Sequence, residues 1–215
     1  MALLDIYDEN LNPNGTATFE ETHKNRLWRI VFHNWVTRPD NKIIVQKRSN
    51  DHPHNPGAIC VSAAGHAQIG ETIEDSPRET KEEIGLNFQY NEISYIGNVH
   101  FPKVREIVHV HFANDDTPLK QYRLQKKEVG GIYEMGINEG IAFFNGISPT
   151  VKLEGYKRTE SGYLVPETIN ARREDFSTGS EKPWLWMFEK AKKYINGDYE
   201  KYAPEVDIKN PLEIF

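Results

Sequence analysis

Short segments rich in β-branched and aromatic residues recur along the chain, and several of them alternate apolar with polar positions. Both patterns predict β-strands. The segments are residues 4–7, 28–37, 41–46, 93–99 and 106–113. In the last of these, apolar residues alternate with His109 and His111, which predicts a strand with one polar face. The proline-containing stretch 52–57 is predicted to be a loop, and residues 38–40 a turn between two strands.

Apolar residues follow a helical period only near the C-terminus. Five of them fall at i, i+3, i+4, i+7 and i+11, namely Trp184, Met187, Phe188, Ala191 and Ile195. This spacing predicts an amphipathic helix over about 182–196, with Pro183 in its first turn and Gly197 beyond its end. Residues 119–128 are predicted to be partly helical, whereas residues 151–179 show little periodicity and many turn residues.

Predicted strands outnumber predicted helices and are interspersed with them, which indicates an α+β or α/β domain. The change of pattern near residue 150 divides the chain into a main domain, 1–149, and a C-terminal extension, 150–215. Because the predicted helix of the extension carries a broad apolar face, we expect it to pack on the main domain.

The composition excludes several classes of protein. The chain has 215 residues, one cysteine (Cys60), 26 Lys plus Arg and 32 Asp plus Glu, for a net charge of −6. A single cysteine excludes a disulfide framework and multi-cysteine metal sites. The apolar runs are too short to cross a membrane, and the acidic first ten residues do not resemble a targeting signal. The net negative charge disfavours nucleic acid as a partner. We therefore expect a cytoplasmic protein.

The chemistry is concentrated in residues 62–86. Ser76, Pro77 and Glu79 form the pattern of a capping box, which predicts that a helix begins there, and Gly85 is suited to end it. Glu79, Glu82 and Glu83 stand at i, i+3 and i+4, within about a 100° arc of that helix. Their mutual repulsion costs about 0.2–0.5 kcal/mol per pair. A divalent cation, which prefers oxygen ligands, would make use of that arrangement.

Small residues, including Gly65 and Gly70, precede this helix and allow the backbone to approach a metal or a diphosphate closely. The segment resembles the Nudix box, G-x5-E-x7-R-E-x2-E-E-x-G, and the matching positions are Gly65, Glu71, Arg78, Glu79, Glu82, Glu83 and Gly85. Six residues rather than seven separate Glu71 from Arg78, which leaves open whether these two side chains pair as they do in the family. Over about residues 3–147 the chain resembles Nudix proteins related to isopentenyl-diphosphate isomerase.

The resemblance implies an α/β/α sandwich with a mixed central sheet, to which the C-terminal helical extension is added. It also implies a hydrolase that cleaves a diphosphate linkage in a nucleoside diphosphate derivative or a similar compound. Mg²⁺ or Mn²⁺ would be held by the Gly65 carbonyl and by the catalytic carboxylates Glu79, Glu82 and Glu83. Glu71 and Arg78 would support the loop. The family often adds a distant catalytic glutamate, for which Glu128 is our prediction, with Glu106 and Glu134 as alternatives.

Residues for the substrate are harder to predict. Lys47 and Arg48 could contact phosphates, and His66 adjoins the predicted metal site. An isomerase of the related type is an alternative, but it needs a cysteine just before the Gly65-His66 pair, where this chain has Ala64. A non-catalytic diphosphate sensor is a second alternative. The expected partner is a small diphosphate compound, neither nucleic acid nor membrane, and a homodimer stays open.

Overall fold

The computed structural model describes residues 3–177, 181–198 and 207–215. Four α-helices in this part of the chain are α1 (Phe19–Lys24), α2 (Pro77–Glu83), α3 (Ile137–Phe144) and α4 (Glu181–Ile195). The strands are β1 (Leu3–Tyr7), β2 (Pro13–Thr18), β3 (Trp28–Arg38), β4 (Lys42–Arg48), β5 (Ile59–Cys60), β6 (Ala63–His66), β7 (Ser94–Phe101), β8 (Glu106–Asn114), β9 (Val129–Gly136), β10 (Val151–Arg158), β11 (Leu164–Ala171) and β12 (Glu213–Ile214).

The central sheet is mixed and splits in its middle. Its strand order is β11-β10-β9-β4-β3-β8-β7-β12, with β3 parallel to β8 and β12 parallel to β7. β3 and β4 pair only beside their turn, where Thr37 lies opposite Ile43 and Arg38 opposite Lys42. Beyond that point β5 pairs with β4, and β6 pairs with β3. The split therefore brings the segment that leads into α2 between the two halves of the sheet.

Helices cover both faces of the sheet. On one face Ile84, at the end of α2, packs with Ile44 and Ile132 of the sheet. On the other face Trp184 of α4 meets Trp35 of β3 edge to face, with ring centroids 5.5 Å apart. This is the predicted α+β sandwich, and the fold class is confirmed.

Helices α3 and α4 are in close contact. A Cβ atom at Gly140 of α3 would lie 2.3 Å from Cε1 of Phe188, so only glycine fits at this crossing. Trp184, Met187, Phe188 and Ala191 are all buried in the same core. The apolar face that the period indicated is thus covered by the sheet and by α3. In the described part of the chain, no helix is long and apolar enough to cross a membrane.

The C-terminal extension begins with a β-hairpin, which the prediction of irregular structure over 151–179 missed. β10 pairs with β11 along its length and with β9 over residues 154–157, so the hairpin extends the central sheet. Gly155 lets β10 approach β9, because a Cβ there would lie 2.1 Å from the Ile132 carbonyl oxygen. Pro166 is tolerated because β11 is an edge strand. Gly155 and Pro166 are residue types that are rare in strands, and for this reason the sequence pattern did not predict β10 and β11.

Some of the other predictions from sequence pattern are confirmed by the structure and others are not. The five predicted strands correspond to β1, β3, β4, β7 and β8, whereas β9 was missed because it contains Gly130 and Gly131. Residues 119–128 hold only one 3₁₀ turn, Leu119–Gln121. β8 carries the predicted polar positions His109 and His111, but both side chains are buried because both faces of the sheet are covered.

Candidate active site

Helix α2 begins differently from the predicted capping box. Ser76 has helical backbone angles and its side chain makes no capping hydrogen bond. The capping interaction lies one turn earlier, where Thr72 accepts from the Glu74 N–H and Asp75 accepts from the Thr72 N–H. A 3₁₀ turn, Ile73–Asp75, therefore runs directly into α2. The predicted C-terminus is confirmed, because Gly85 has φ +79° and follows the helix.

Glu79 is turned away from the helix start and lies against Gly65 of β6. A Cβ at Gly65 would come within 2.1–2.3 Å of the Glu79 carboxylate atoms, so the close contact depends on glycine. Arg78 Nη2 lies 2.8 Å from Glu79 Oε1. Burial raises the pKa of Glu79 to about 7, although the nearby Arg78 opposes that shift.

Glu83, one turn further along α2, is also buried. Its Oε2 atom accepts hydrogen bonds from Gln46 Nε2 at 2.8 Å and from the Ala64 backbone N–H at 3.1 Å. Burial, and next the charge of Glu79, raises the pKa of Glu83 to about 8. Among the described residues, the buried Gln46 Oε1 atom has no hydrogen-bond partner. Two buried carboxylates, Glu79 and Glu83, thus lie near an unpaired amide oxygen of Gln46. Arg78 supplies a positive charge to Glu79 at the edge of this group.

Arg78 links the helix to the preceding loop. Its Nε and Nη2 atoms donate to the two oxygens of Glu71 at 2.7 and 2.9 Å, so the shortened spacing does not prevent this pairing. The 3₁₀ turn before α2 takes up the missing residue. Glu82 lies on the outer side of the helix, 49% exposed, with its Oε2 atom 3.2 Å from Arg78 Nη1. The three helix carboxylates are therefore not equivalent.

Glu128 lies in the loop before β9, and its charge is close enough to Glu83 to help raise the pKa of that carboxyl group. Its Oε2 atom is 2.9 Å from His52 Nε2. Arg48 contacts the same imidazole, with Nη1 2.7 Å from Nε2. Lys47 is opposite Gly131 in the sheet and, since side chains alternate along a strand, faces away from Gln46 and Arg48.

The two alternatives to Glu128 are engaged elsewhere. Glu134 forms ion pairs with Arg38 at 3.0 Å and Lys42 at 2.9 Å. Glu106 accepts from Arg29 Nη2 at 2.7 Å. Neither carboxylate is joined to the α2 carboxylates by these contacts, which favours Glu128.

His66 belongs to a separate cluster on the other face of β6. His23, His66 and Glu106 have ligand atoms within 4.8 Å of one another, a spacing that could hold a metal ion. The Arg29 guanidinium already lies among them, and its Nε atom donates to His66 Nε2 at 3.1 Å. Burial, and next the charge of Arg29, lowers the pKa of His66 to about 3. A resident cation, Arg29, thus fills the place that a metal would take.

The sequence pattern did not indicate a functional role for three residues of this region, Gln46, Arg29 and His52. Gln46 directly follows the apolar residues Ile43, Ile44 and Val45 of β4 at a buried position, and this change to a polar residue is the signal that could have indicated it. Arg29 likewise interrupts an apolar strand. His52 stands in a proline-containing loop that carries no signal of its own.

Comparison with known proteins agrees with this fold. The NUDIX domain family model matches residues 27–138. An uncharacterized Nudix hydrolase of Clostridium acetobutylicum is 33% identical over 184 residues, covering 80% of this chain and 88% of the relative. An uncharacterized Nudix hydrolase of Yersinia pestis is 31% identical over 84 residues, covering 39% of this chain and 46% of the relative.

Solved structures show the same fold at lower identity. A protein of Deinococcus radiodurans superimposes with a TM-score of 0.55 at 20% identity, covering 67% of this chain and 89% of the other. The chain belongs to the Nudix family. It is a hydrolase that acts on pyrophosphate bonds, and enzymes of this family generally use divalent metal ions.

Proposed function

We propose that this Nudix hydrolase is a Mg²⁺- or Mn²⁺-dependent enzyme that cleaves the diphosphate linkage of a nucleoside diphosphate derivative or a similar organic diphosphate. The observation that carries the proposal is the joint burial of Glu79 and Glu83 beside Gly65. Burying two neighbouring carboxylates is costly unless a cation accompanies them. Arg78 accompanies only Glu79, at the edge of the pair.

The residues present fit a divalent cation. Glu79, Glu83 and the Gly65 carbonyl would hold it with oxygen ligands, the type that Mg²⁺ and Mn²⁺ prefer. Glu82 is proposed as a further ligand at the exposed rim. When bound, the ion would neutralise phosphate charge and acidify an attacking water. The free Gln46 Oε1 atom offers one more buried acceptor for the ordered water of such a site.

The residues of the chain have separate roles in this proposal. Glu128 would accept the proton of the attacking water as the bond to phosphorus forms and the leaving phosphate departs. Arg78 and Glu71 would keep the loop before α2 in place. Of the predicted substrate residues Lys47, Arg48 and His66, the contact of Arg48 with the imidazole beside Glu128 makes it the best supported phosphate ligand.

Replacing Glu83 by glutamine tests the proposal. The glutamine oxygen can still accept from Gln46 and Ala64, so we expect the fold to persist while Mg²⁺-dependent release of phosphate falls at least a hundredfold. Glu74→Gln is the matched control, because it removes the same charge from an exposed site near α2. A panel of nucleoside diphosphate derivatives, assayed with Mg²⁺ and with EDTA, provides the measurement. Full activity in Glu83→Gln would refute the assignment of this site.

The likeness to isomerase-related Nudix proteins is part of the proposal, but the isomerase activity is not favoured. Cys60 is fully buried, and burial raises the pKa of its thiol to about 12. Ala64 occupies the position where the isomerase has its cysteine. If no compound of the panel were hydrolysed but one bound, the non-catalytic sensor would replace the enzyme. A small diphosphate substrate without nucleic acid or membrane, a cytoplasmic location and a homodimer stay predictions.

A further inference from the structure

The backbone of Glu128 is held in place from two sides. The Ser49 N–H donates to the Glu128 carbonyl oxygen at 2.8 Å, and the Gln125 N–H donates to the Glu83 carbonyl oxygen at 2.9 Å. The loop that carries Glu128 is therefore tied both to the end of β4 and to the last turn of α2. The Glu128 side chain is 39% exposed and has several rotatable bonds. Fixing that carboxylate requires a further contact.

His52 supplies this contact. Its side chain is only 11% exposed, and its Nε2 atom lies 2.9 Å from Glu128 Oε2. The His52 backbone N–H donates to the Ser49 carbonyl oxygen at 3.2 Å, so the same residue, Ser49, anchors both partners. The imidazole and the carboxylate are thus positioned by one hydrogen-bonded junction between two loops.

The chemistry of the pair determines which ring nitrogen carries the proton. The His54 N–H lies 3.0 Å and the His54 carbonyl oxygen 2.7 Å from His52 Nδ1, so this neighbour is compatible with either tautomer. A carboxylate only accepts hydrogen bonds. The hydrogen bond to Glu128 therefore requires the proton on Nε2, while Nδ1 accepts from the His54 N–H.

Arg48 completes the arrangement. Its Nη1 atom lies 2.7 Å from Nε2, 3.0 Å from Nδ1 of His52 and 3.4 Å from the His54 carbonyl oxygen. Because a guanidinium only donates, its acceptors are Nδ1 and the His54 carbonyl oxygen when Nε2 carries the proton. Burial and the adjacent guanidinium lower the pKa of His52, although Glu128 and the His54 carbonyl act in the opposite direction. A neutral imidazole donates one hydrogen bond to Glu128 and leaves the charge of the carboxylate in place.

We propose that His52 is a positioning residue that holds the Glu128 carboxylate in the orientation needed to accept a proton from the attacking water. The inference rests on the proposed function, in which Glu128 is the base. The second Glu128 oxygen then stays available for water, and the His52 N–H bond is neither made nor broken during the reaction.

Two substitutions of His52 separate the hydrogen bond from the shape of the side chain. His52→Phe keeps a planar ring without a donor, and we expect kcat to fall tenfold to a hundredfold with KM changed by less than threefold. His52→Gln retains an N–H donor, and its kcat should recover to within about fivefold of the wild type. His54→Phe is the matched control in the same loop, because its ring does not touch Glu128, and its kcat should not change.

A double substitution distinguishes positioning from a general structural role. In a Glu128→Gln background the added His52→Phe should lower the residual kcat by less than twofold, because the group that it positions is absent. A full tenfold further loss would overturn the proposal, as would an unchanged kcat in His52→Phe.

An NMR measurement tests the contact without relying on activity. The ¹⁵N shifts of the His52 ring should show the Nε2–H tautomer in the wild type and should change in Glu128→Gln. An Nδ1–H tautomer, or shifts that ignore Glu128, would overturn the positioning role. If no diphosphate is hydrolysed by the wild type, the proposed function fails while this measurement still decides the contact. If hydrolysis occurs and His52→Phe is fully active, only the inference about His52 fails.

Discussion

Replacing Glu83 by glutamine should remove one carboxyl group's contribution to the pH dependence of unfolding in the metal-free protein. The carboxyl group titrates near 4.5 when unfolded and at about 8 in the folded protein, because it is buried beside Glu79. Between these two values the folded state binds one more proton than the unfolded state. The contribution of Glu83 to the free energy of unfolding therefore falls by about 1.36 kcal/mol per pH unit as the pH rises.

The total effect of Glu83 follows from the two pKa values. Stability from this group is fully present below pH 4.5 and is lost as the pH rises to about 8, a change of about 5 kcal/mol at one 1.36 kcal/mol step per pH unit. Glu79, whose pKa rises to about 7, adds a second loss of the same sign. In Glu83→Gln the contribution of Glu79 remains, as does the opposite contribution of the buried histidines, whose pKa values are lowered. The mutant lacks only the Glu83 loss, so it should be the more stable protein above pH 8.

Urea unfolding followed by tryptophan fluorescence, in EDTA between pH 5 and pH 9, measures both slopes. Glu74→Gln is the control, because its exposed carboxylate should leave the wild-type slope unchanged. Saturating Mg²⁺ should stabilise the wild type at pH 8 and stabilise Glu83→Gln much less. Parallel slopes in the wild type and Glu83→Gln would refute the argument that a buried carboxylate with a raised pKa occupies this site.

Three further substitutions test other parts of the molecule. Gly65→Ala would place a methyl group within 2.1–2.3 Å of the Glu79 carboxylate, and Mn²⁺ affinity measured by calorimetry should fall at least tenfold; unchanged affinity would contradict the ligand assignment. Arg78→Lys loses one of the two hydrogen bonds to Glu71, and urea unfolding should show a loss of about 2 kcal/mol, whereas no loss would mean that the pair is dispensable. Trp184→Ala should cost about 3–5 kcal/mol by the same measurement, and a loss below 1 kcal/mol would be inconsistent with a buried α4.

Local spacing explains why much of the box could be predicted. Glu79, Glu83 and Gly85 lie within one short helix and the residue that ends it, so their relation depends on helix geometry alone. The cap at Ser76 could not be predicted in the same way. Ser76 and Glu79 match the capping pattern, but Glu79 contacts Gly65 of β6 instead, and the 3₁₀ turn before α2 leaves Ser76 within a continuous helical path.

The strands that were missed depend on contacts distant in sequence. Gly155 is unfavourable in a strand by intrinsic propensity, yet β10 can approach β9 only because it lacks a side chain. Gly130 in β9 is similar, since a Cβ there would lie 3.0 Å from the Arg48 carbonyl oxygen of β4. A pattern of apolar and polar residues does not record such close approaches, so these segments resembled loops.

The three carboxylates of α2 differ in burial and in hydrogen-bond partners, and the sequence motif does not predict these differences. Spacing places Glu79, Glu82 and Glu83 on one arc of α2 and treats them alike. The sheet beneath the helix separates them, because Gln46 and the Ala64 N–H bind Glu83 inside while Glu82 faces solvent beside Arg78. Only a buried carboxylate acquires the raised pKa that makes a cation strongly stabilising. The strength of metal binding should therefore depend on Glu79 and Glu83 far more than on Glu82, although the sequence pattern gives all three the same weight.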